Sequence, residues 1–271
     1  MSSDERIRVG AVNYLNTKPL VYGLDQLAPQ ADIVYDVPSR LADGLADGRF
    51  DIALVPSIEL LRHPNYAIVS DACIGCRGPV LSVKLFMRVP PDQVRTLALD
   101  EGSRTSVGLA LVLLDRLSGV RPELESLPLG CQLGDSTADA ILLIGDRAMH
   151  SPVGSFHTVW DLGDQWCRWT GYPFVFAMWT SRAGCELGDL EAVLAAARDA
   201  GVANLEQIAS REAGPLGLTV PQCFSYLNDN LNFRYGDGER QGMELFFEYA
   251  AAIGLAPATA SGTASALKVD P

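Results

Sequence analysis

IRVGAVNYLNTKPLVYGL, residues 7–24, leaves an apolar run for Asn13, Asn16, Thr17 and Lys18 and then turns apolar again. Residues 6–12 read as a buried strand. The abrupt polar end, with Pro19 placed to open a helix, has the form of a βα turn. Turns of this kind lie at the carboxyl ends of strands, where open α/β sheets bind their ligands. The amide, hydroxyl and ammonium groups here can reach a ligand, and they can equally form an Asx-type turn that caps the next helix.

The same pattern repeats downstream. Strands are expected at 6–12, 33–35, 51–55, 66–70 and 82–89, with helices between them. The clearest helix is 39–48, where Leu41 and Leu45 share a face and Ser39 can cap. Pro90-Pro91 punctuates the chain. A second alternating block follows, with strands at 96–99, 125–127 and 140–144 and a helix at 105–117. A third segment opens with a strand at 174–179 and continues into helices at 187–200, 204–211, 220–228 and 238–253. No internal repeat is evident. This order predicts an α/β protein of two lobes with a ligand cleft between them. Residues 1–89 plus 178–257 would form the first lobe, 90–177 the second, and 258–271 a flexible tail. Strands 82–89 and 174–180 would form the hinge.

With 271 residues, 48% of them hydrophobic and 20% charged, the chain can bury a substantial core. A net charge of -12 argues against nucleic acid and against an anionic membrane surface, both of which call for clustered Lys and Arg. An anionic ligand must then be held by local donors. The opening MSSDERIRVG lacks the basic end and apolar core of a secretory signal, and no later run approaches a membrane span, so a cytoplasmic protein is expected. Six cysteines, at 73, 76, 131, 167, 185 and 223, suit a reducing compartment. Cys73 and Cys76 have ligand-like spacing, but no second pair or histidine is spaced to join them, and both read as packing residues. His63, His150 and His157 read as surface or capping residues.

Five further turns carry polar groups. The strand Asp51–Val55 ends in Pro56-Ser57, where Ser57 can meet a carboxylate or cap the next helix. GCRGPVLS, 75–82, is a turn that delivers Ser82 to the hinge. DEGSRTSV, 100–107, precedes a long apolar helix. Its free N–H groups, with Ser103, Arg104, Thr105 and Ser106 beside them, form a natural carboxylate or phosphate site. Arg104 can add a bidentate contact. Ile144-Gly145-Asp146 ends another apolar strand, and Asp146 can accept from a ligand hydroxyl or cap a helix. WCRWTGYPFV, 166–175, supplies aromatic packing and a Thr170-Gly171 turn.

Taken in order, VNYLNTKPL, DIALVPSIELL, GPVLSV, GSRTSVGLA, ILLIGDRAM and WCRWTGYPFVFAMW resemble the chorismate dehydratases of the futalosine route to menaquinone, over nearly all of residues 8–255. The resemblance implies a bilobed fold of the periplasmic-binding-protein type II kind, no metal or organic cofactor, and loss of water from chorismate, a small dianion, to give 3-[(1-carboxyvinyl)oxy]benzoate. It implies that Asn16 contacts the reacting substrate and that Ser82, Ser103, Thr105 and Ser106 hold its carboxylates. Arg104 belongs to the same motif, Asp146 would stand at the cleft, and Thr170 and Gly171 would approach from the hinge. Asn13, Thr17 and Ser57 join them as substrate-binding candidates. A homodimer is compatible with this reading. The sister enzyme that makes 1,4-dihydroxy-6-naphthoate carries a Ser-Pro-Cys-Pro-Asn pattern where this chain has Asn13-Tyr-Leu-Asn-Thr17. A solute-binding protein of the same fold is the alternative from another class.

Overall fold

The structure is a computed structural model that describes residues 6–150, 155–185 and 187–256. The expected tail at 258–271 lies outside the described residues. In chain order the elements are β1 (Ile7–Val12), a 3-10 turn (Leu15–Val21), α1 (Leu24–Leu27), β2 (Ala31–Asp36), α2 (Pro38–Ala46), β3 (Ile52–Pro56), α3 (Ile58–Arg62), β4 (Tyr66–Cys76) and β5 (Val83–Met87). Next come β6 (Thr96–Asp100), α4 (Thr105–Leu113), β7 (Glu123–Leu127), β8 (Ala140–Ile144), β9 (Thr158–Asp161) and α5 (Leu162–Thr170). The chain then runs through β10 (Phe174–Arg182), α6 (Leu190–Ala203), α7 (Leu205–Glu212), α8 (Val220–Ser225), β11 (Asn232–Arg234) and α9 (Asp237–Ala252).

Two mixed sheets result. The first has the order β11-β4-β10-β3-β1-β2, with β1 parallel to β2 and β3, and β10 antiparallel to β3 and β4. The second has the order β7-β6-β8-β5-β9, with β6 parallel to β7 and β8, and β5 antiparallel to β8 and β9. Interior strands such as β3 and β8 are buried along their whole length, which explains their unbroken apolar runs. The edge strand β2 instead alternates between half-buried and exposed residues over most of its length.

Sheet membership moves the expected lobe boundaries. All five residues of β5 pair with β8, so residues 83–87 belong to the second sheet and the chain crosses between the sheets over residues 77–82 instead of after Val89. Phe174, Val175 and Ala177 pair with β4, and Ala177 also with β3, in the first sheet, so the return crossover falls ahead of Phe174. Pro90-Pro91 only starts a short 3-10 turn within the second lobe. Proline interrupts a strand whichever sheet that strand joins, and so it marks no lobe boundary by itself. The structure also extends β4 to Cys76 and adds β9 and β11, short edge strands with weak patterns of their own.

The two lobes share one apolar core. Most of α4 is buried, including Leu109, Ala110, Val112 and Leu113, because first-lobe α3 and α9 and second-lobe α5 and β8 all pack against it. Trp166 of α5 joins this junction, with ring centroids 5.3 Å from Phe174 and 6.0 Å from Phe246. No helix among the described residues is long and apolar enough to cross a membrane.

Candidate active site

The carboxyl ends of β1, β3, β6 and β8 converge where the two sheets face each other, and a cavity of about 500 Å3, including its open mouth, lies there. Its polar walls are Asn16, Ser82, Ser103, Arg104, Thr105 and Ser106, with Tyr14 beside them. Ile74, Val80 and Phe176 are among its apolar walls. Among the described residues that line it there is no Asp, Glu, His or Lys.

The start of α4 forms the donor-rich wall. The first N–H groups of any helix have no intrahelical acceptor, and the helix dipole is positive at that end. Thr105 Oγ1 accepts from Ile58 N–H at 3.2 Å, across the lobe interface. The Ser57 hydroxyl donates to Val175 O at 2.7 Å and lies 3.4 Å from Thr105 Oγ1. Ser57 is fully buried and braces Thr105 from behind the cavity wall.

The turn after β1 closes the other side. Tyr14 reaches into the second lobe, where any Cβ on Gly145 would stand 2.8 Å from its ring and a Cβ on Gly102 would stand 3.3 Å from its hydroxyl. Burial, with the charge of Asp100, pushes the Tyr14 phenol far above its usual range, so it stays protonated. Leu15 N–H donates to the Asp146 carboxylate at 3.1 Å and Ser39 N–H to Gly102 O at 3.1 Å, so backbone hydrogen bonds also join the lobes. Arg104 points at first-lobe acids, 2.6 Å from Asp43 and 3.3 Å from Glu59.

The sequence candidates therefore separate. Asn16, Ser82, Ser103, Arg104, Thr105 and Ser106 meet at the cavity. Thr17 is fully buried and its hydroxyl donates to Asn16 Oδ1 at 3.4 Å. Asn13 is exposed and donates its backbone N–H to Asp36 O. Asp146 holds the lobes together through Leu15. Thr170 donates to Trp166 O at 2.9 Å, and Gly171 ends α5 with φ +75°. Both serve the helix terminus. Tyr14 lies inside the VNYLN motif but is not among the sequence candidates. A tyrosine next to a strand-end Asn was the available signal.

A cleft between two α/β lobes, walled by strand ends and by the start of a buried helix, defines a protein of the periplasmic-binding-protein-like class. Solved structures agree on that fold. The alkanesulfonate-binding protein SsuA from Xanthomonas axonopodis pv. citri, bound to MOPS, superposes with a TM-score of 0.64 at 13% identity, covering 95% of this chain and 96% of its own. The periplasmic aliphatic sulphonate binding protein SsuA from Escherichia coli gives 0.61 at 16% identity, with 94% and 89% covered. The chain belongs to the menaquinone biosynthesis family, whose model matches residues 7–252. Among curated proteins it is 32% identical to the chorismate dehydratase of Thermus thermophilus, over 91% of this chain and 95% of that one.

Proposed function

We propose that this protein is a chorismate dehydratase, a cytoplasmic hydro-lyase that converts chorismate to 3-[(1-carboxyvinyl)oxy]benzoate in menaquinone biosynthesis by the futalosine route. Family membership and the Thermus thermophilus relative support the reaction. The observation that carries the mechanism is the composition of the cavity wall, which among the described residues offers hydroxyls, a carboxamide and a helix start but no carboxylate or imidazole.

Chorismate must lose the C3 proton and the C4 hydroxyl, and the ring becomes aromatic. With so large a driving force in the substrate, a strong protein base is unnecessary. C3 is vinylogous to the ring carboxylate, so donors on that carboxylate stabilise the dienolate-like charge that develops as the proton leaves. Ser103, Thr105, Ser106 and the start of α4 are suited to that task. The substrate's enolpyruvyl carboxylate takes the C3 proton and the C4 hydroxide departs, so that proton and hydroxide leave as water. Asn16 holds the reactive conformer and assists departure of the hydroxide. Packing of the lobes through Tyr14, Arg104 and Asp146 excludes water and fixes the geometry.

The test incubates metal-stripped protein with chorismate and follows products by chromatography and mass. Loss of one water with formation of the enolpyruvyl benzoate supports the proposal. Binding without turnover, or neither, rejects it. Retained turnover of an analogue lacking the enolpyruvyl carboxylate rejects the self-base step alone.

A further inference from the structure

Ser82 sits at the crossover between the lobes, behind a backbone conformation that its neighbours do not favour. Leu81 has φ +60°, the one non-glycine residue at positive φ among the described residues. Ser82 N–H donates to Val80 O at 2.7 Å, closing a three-residue γ-turn around Leu81. At positive φ this turn is rare and strained, and it persists only where surrounding contacts over-determine it.

Two groups supply those contacts. The Asp161 carboxylate, at the end of β9, accepts Val80 N–H at 2.9 Å on one oxygen and Leu81 N–H at 2.7 Å on the other. It also accepts Asp164 N–H at 3.1 Å, which ties the turn to the start of α5. The side chain of Ser82 is held separately. Tyr226 is 1% exposed and begins a π-helical turn (Tyr226–Asn230), a feature frequent at functional sites. Its hydroxyl donates to Ser82 Oγ at 2.8 Å. A serine hydroxyl has one proton, and with a lone pair occupied by Tyr226 that proton is directed elsewhere. Ser82 lines the cavity, so the cavity is where a proton acceptor would stand. Asn16 is a further polar neighbour of the Tyr226 hydroxyl, which places the same phenol behind two cavity residues.

We infer that Asp161 and Tyr226 are positioning residues of this active site, holding the Ser82 backbone and hydroxyl so that Ser82 donates to a carboxylate of the bound substrate. This rests on the dehydratase reading. Neither residue lines the cavity; Asp161 acts through Ser82, and Tyr226 through Ser82 and its second neighbour Asn16.

The experiment is a mutant cycle on the full chain with chorismate as substrate. Tyr226→Phe and Asp161→Asn, which keep side-chain volume, are each expected to lower kcat/KM about tenfold, the effect of losing one hydrogen bond to a charged group. Added to Ser82→Ala, Asp161→Asn is expected to lower it less than about twofold further, and Tyr226→Phe, which also meets Asn16, clearly less than its tenfold effect in the parent, because residues that act through one group are not additive. Leu81→Gly, free to adopt positive φ, is expected to return activity to Asp161→Asn. Purely structural defects would show neither the non-additivity nor the rescue. Additive losses, or single variants with parental kcat/KM, overturn the inference. A parent chain that leaves chorismate unchanged is a separate outcome, which overturns the dehydratase reading and this inference with it.

Discussion

Arg104 Nη2 lies 2.6 Å from Asp43 Oδ1, joining the start of α4 in the second lobe to α2 in the first. The same guanidinium reaches Glu59, whose side chain is 2% exposed and is also met by Arg62 and His63. Arg104 thus clasps the lobes beside the cavity, and its charge is partnered by two first-lobe carboxylates.

Removing one end of the clasp is expected to cost less than removing its centre. The Asp43 carboxylate is 56% exposed, and exposed pairs contribute about 1 kcal/mol or less. Asp43→Ala should lower kcat/KM about two- to fivefold at low salt, and the difference from the parent should vanish near 1 M salt as screening shortens. Arg104→Ala also strips the buried Glu59 of a partner and should cost about tenfold or more. Steady-state kinetics across a salt series check both, and a salt-independent Asp43 effect would sink the clasp.

Asn16→Asp places a carboxylate in a cavity proposed to hold a dianion. The expected loss in kcat/KM is about a hundredfold or greater, comparable to losing a preorganised donor at a developing charge. Asn16 is only half-buried, so the melting temperature should move little. Parallel turnover and melting measurements separate the two. Parental activity in this variant would remove Asn16 from the mechanism.

Asp146 offers a contrast between charge and hydrogen bonding. Burial raises its carboxyl above the ordinary aspartate range, against the opposing Leu15 N–H and the charge of Lys18. A folded carboxyl with a raised pKa binds its proton before the unfolded one does. Its ionised form therefore costs stability above the folded pKa, and the cost fades as pH falls from there toward the unfolded value. Asp146→Asn keeps an acceptor for Leu15 and should remove this segment from the stability-versus-pH curve. Asp146→Ala should leave the buried Leu15 N–H unpaired, at about 1–3 kcal/mol. Denaturant titrations across the acid range check the pair, and the contrast fails if both variants behave alike.

Gly145 has φ +71° and ψ -161°, a region open essentially to glycine alone, and its missing Cβ leaves room for the Tyr14 ring. Gly145→Ala combines backbone strain with a clash and should destabilise the protein by about 2–4 kcal/mol. It should also weaken turnover by displacing Tyr14. Tyr14→Ala in the same chain should relieve the clash without relieving the strain, so stability should recover only in part. Full recovery or none, read from denaturant midpoints, would contradict this account.

Much of the architecture was legible because its signals are local. The apolar runs that became β1, β3, β6 and β8 announce buried strands through side-chain pattern alone. The polar turns at Asn16 and at Ser103–Ser106 mark the strand ends that open α/β sheets use for binding. Those turns do reach the cavity. Thr170 and Gly171 were not legible in this way, since a Thr-Gly turn has the same sequence whether it approaches a ligand or finishes a helix.

Which segments are strands and which strand ends are polar follows from residue order, since periodicity and turn chemistry act between near neighbours in the chain. That β5 joins the second sheet, that Arg104 turns toward Asp43, and that Ser82 is held from two sides follow only from the packing of distant elements. Tyr226 stands 144 positions from Ser82, and Asp161 stands 80 from Leu81. Neither contact has a local signature, because a hydroxyl or carboxylate acquires its partner only when packing brings distant elements within hydrogen-bonding reach.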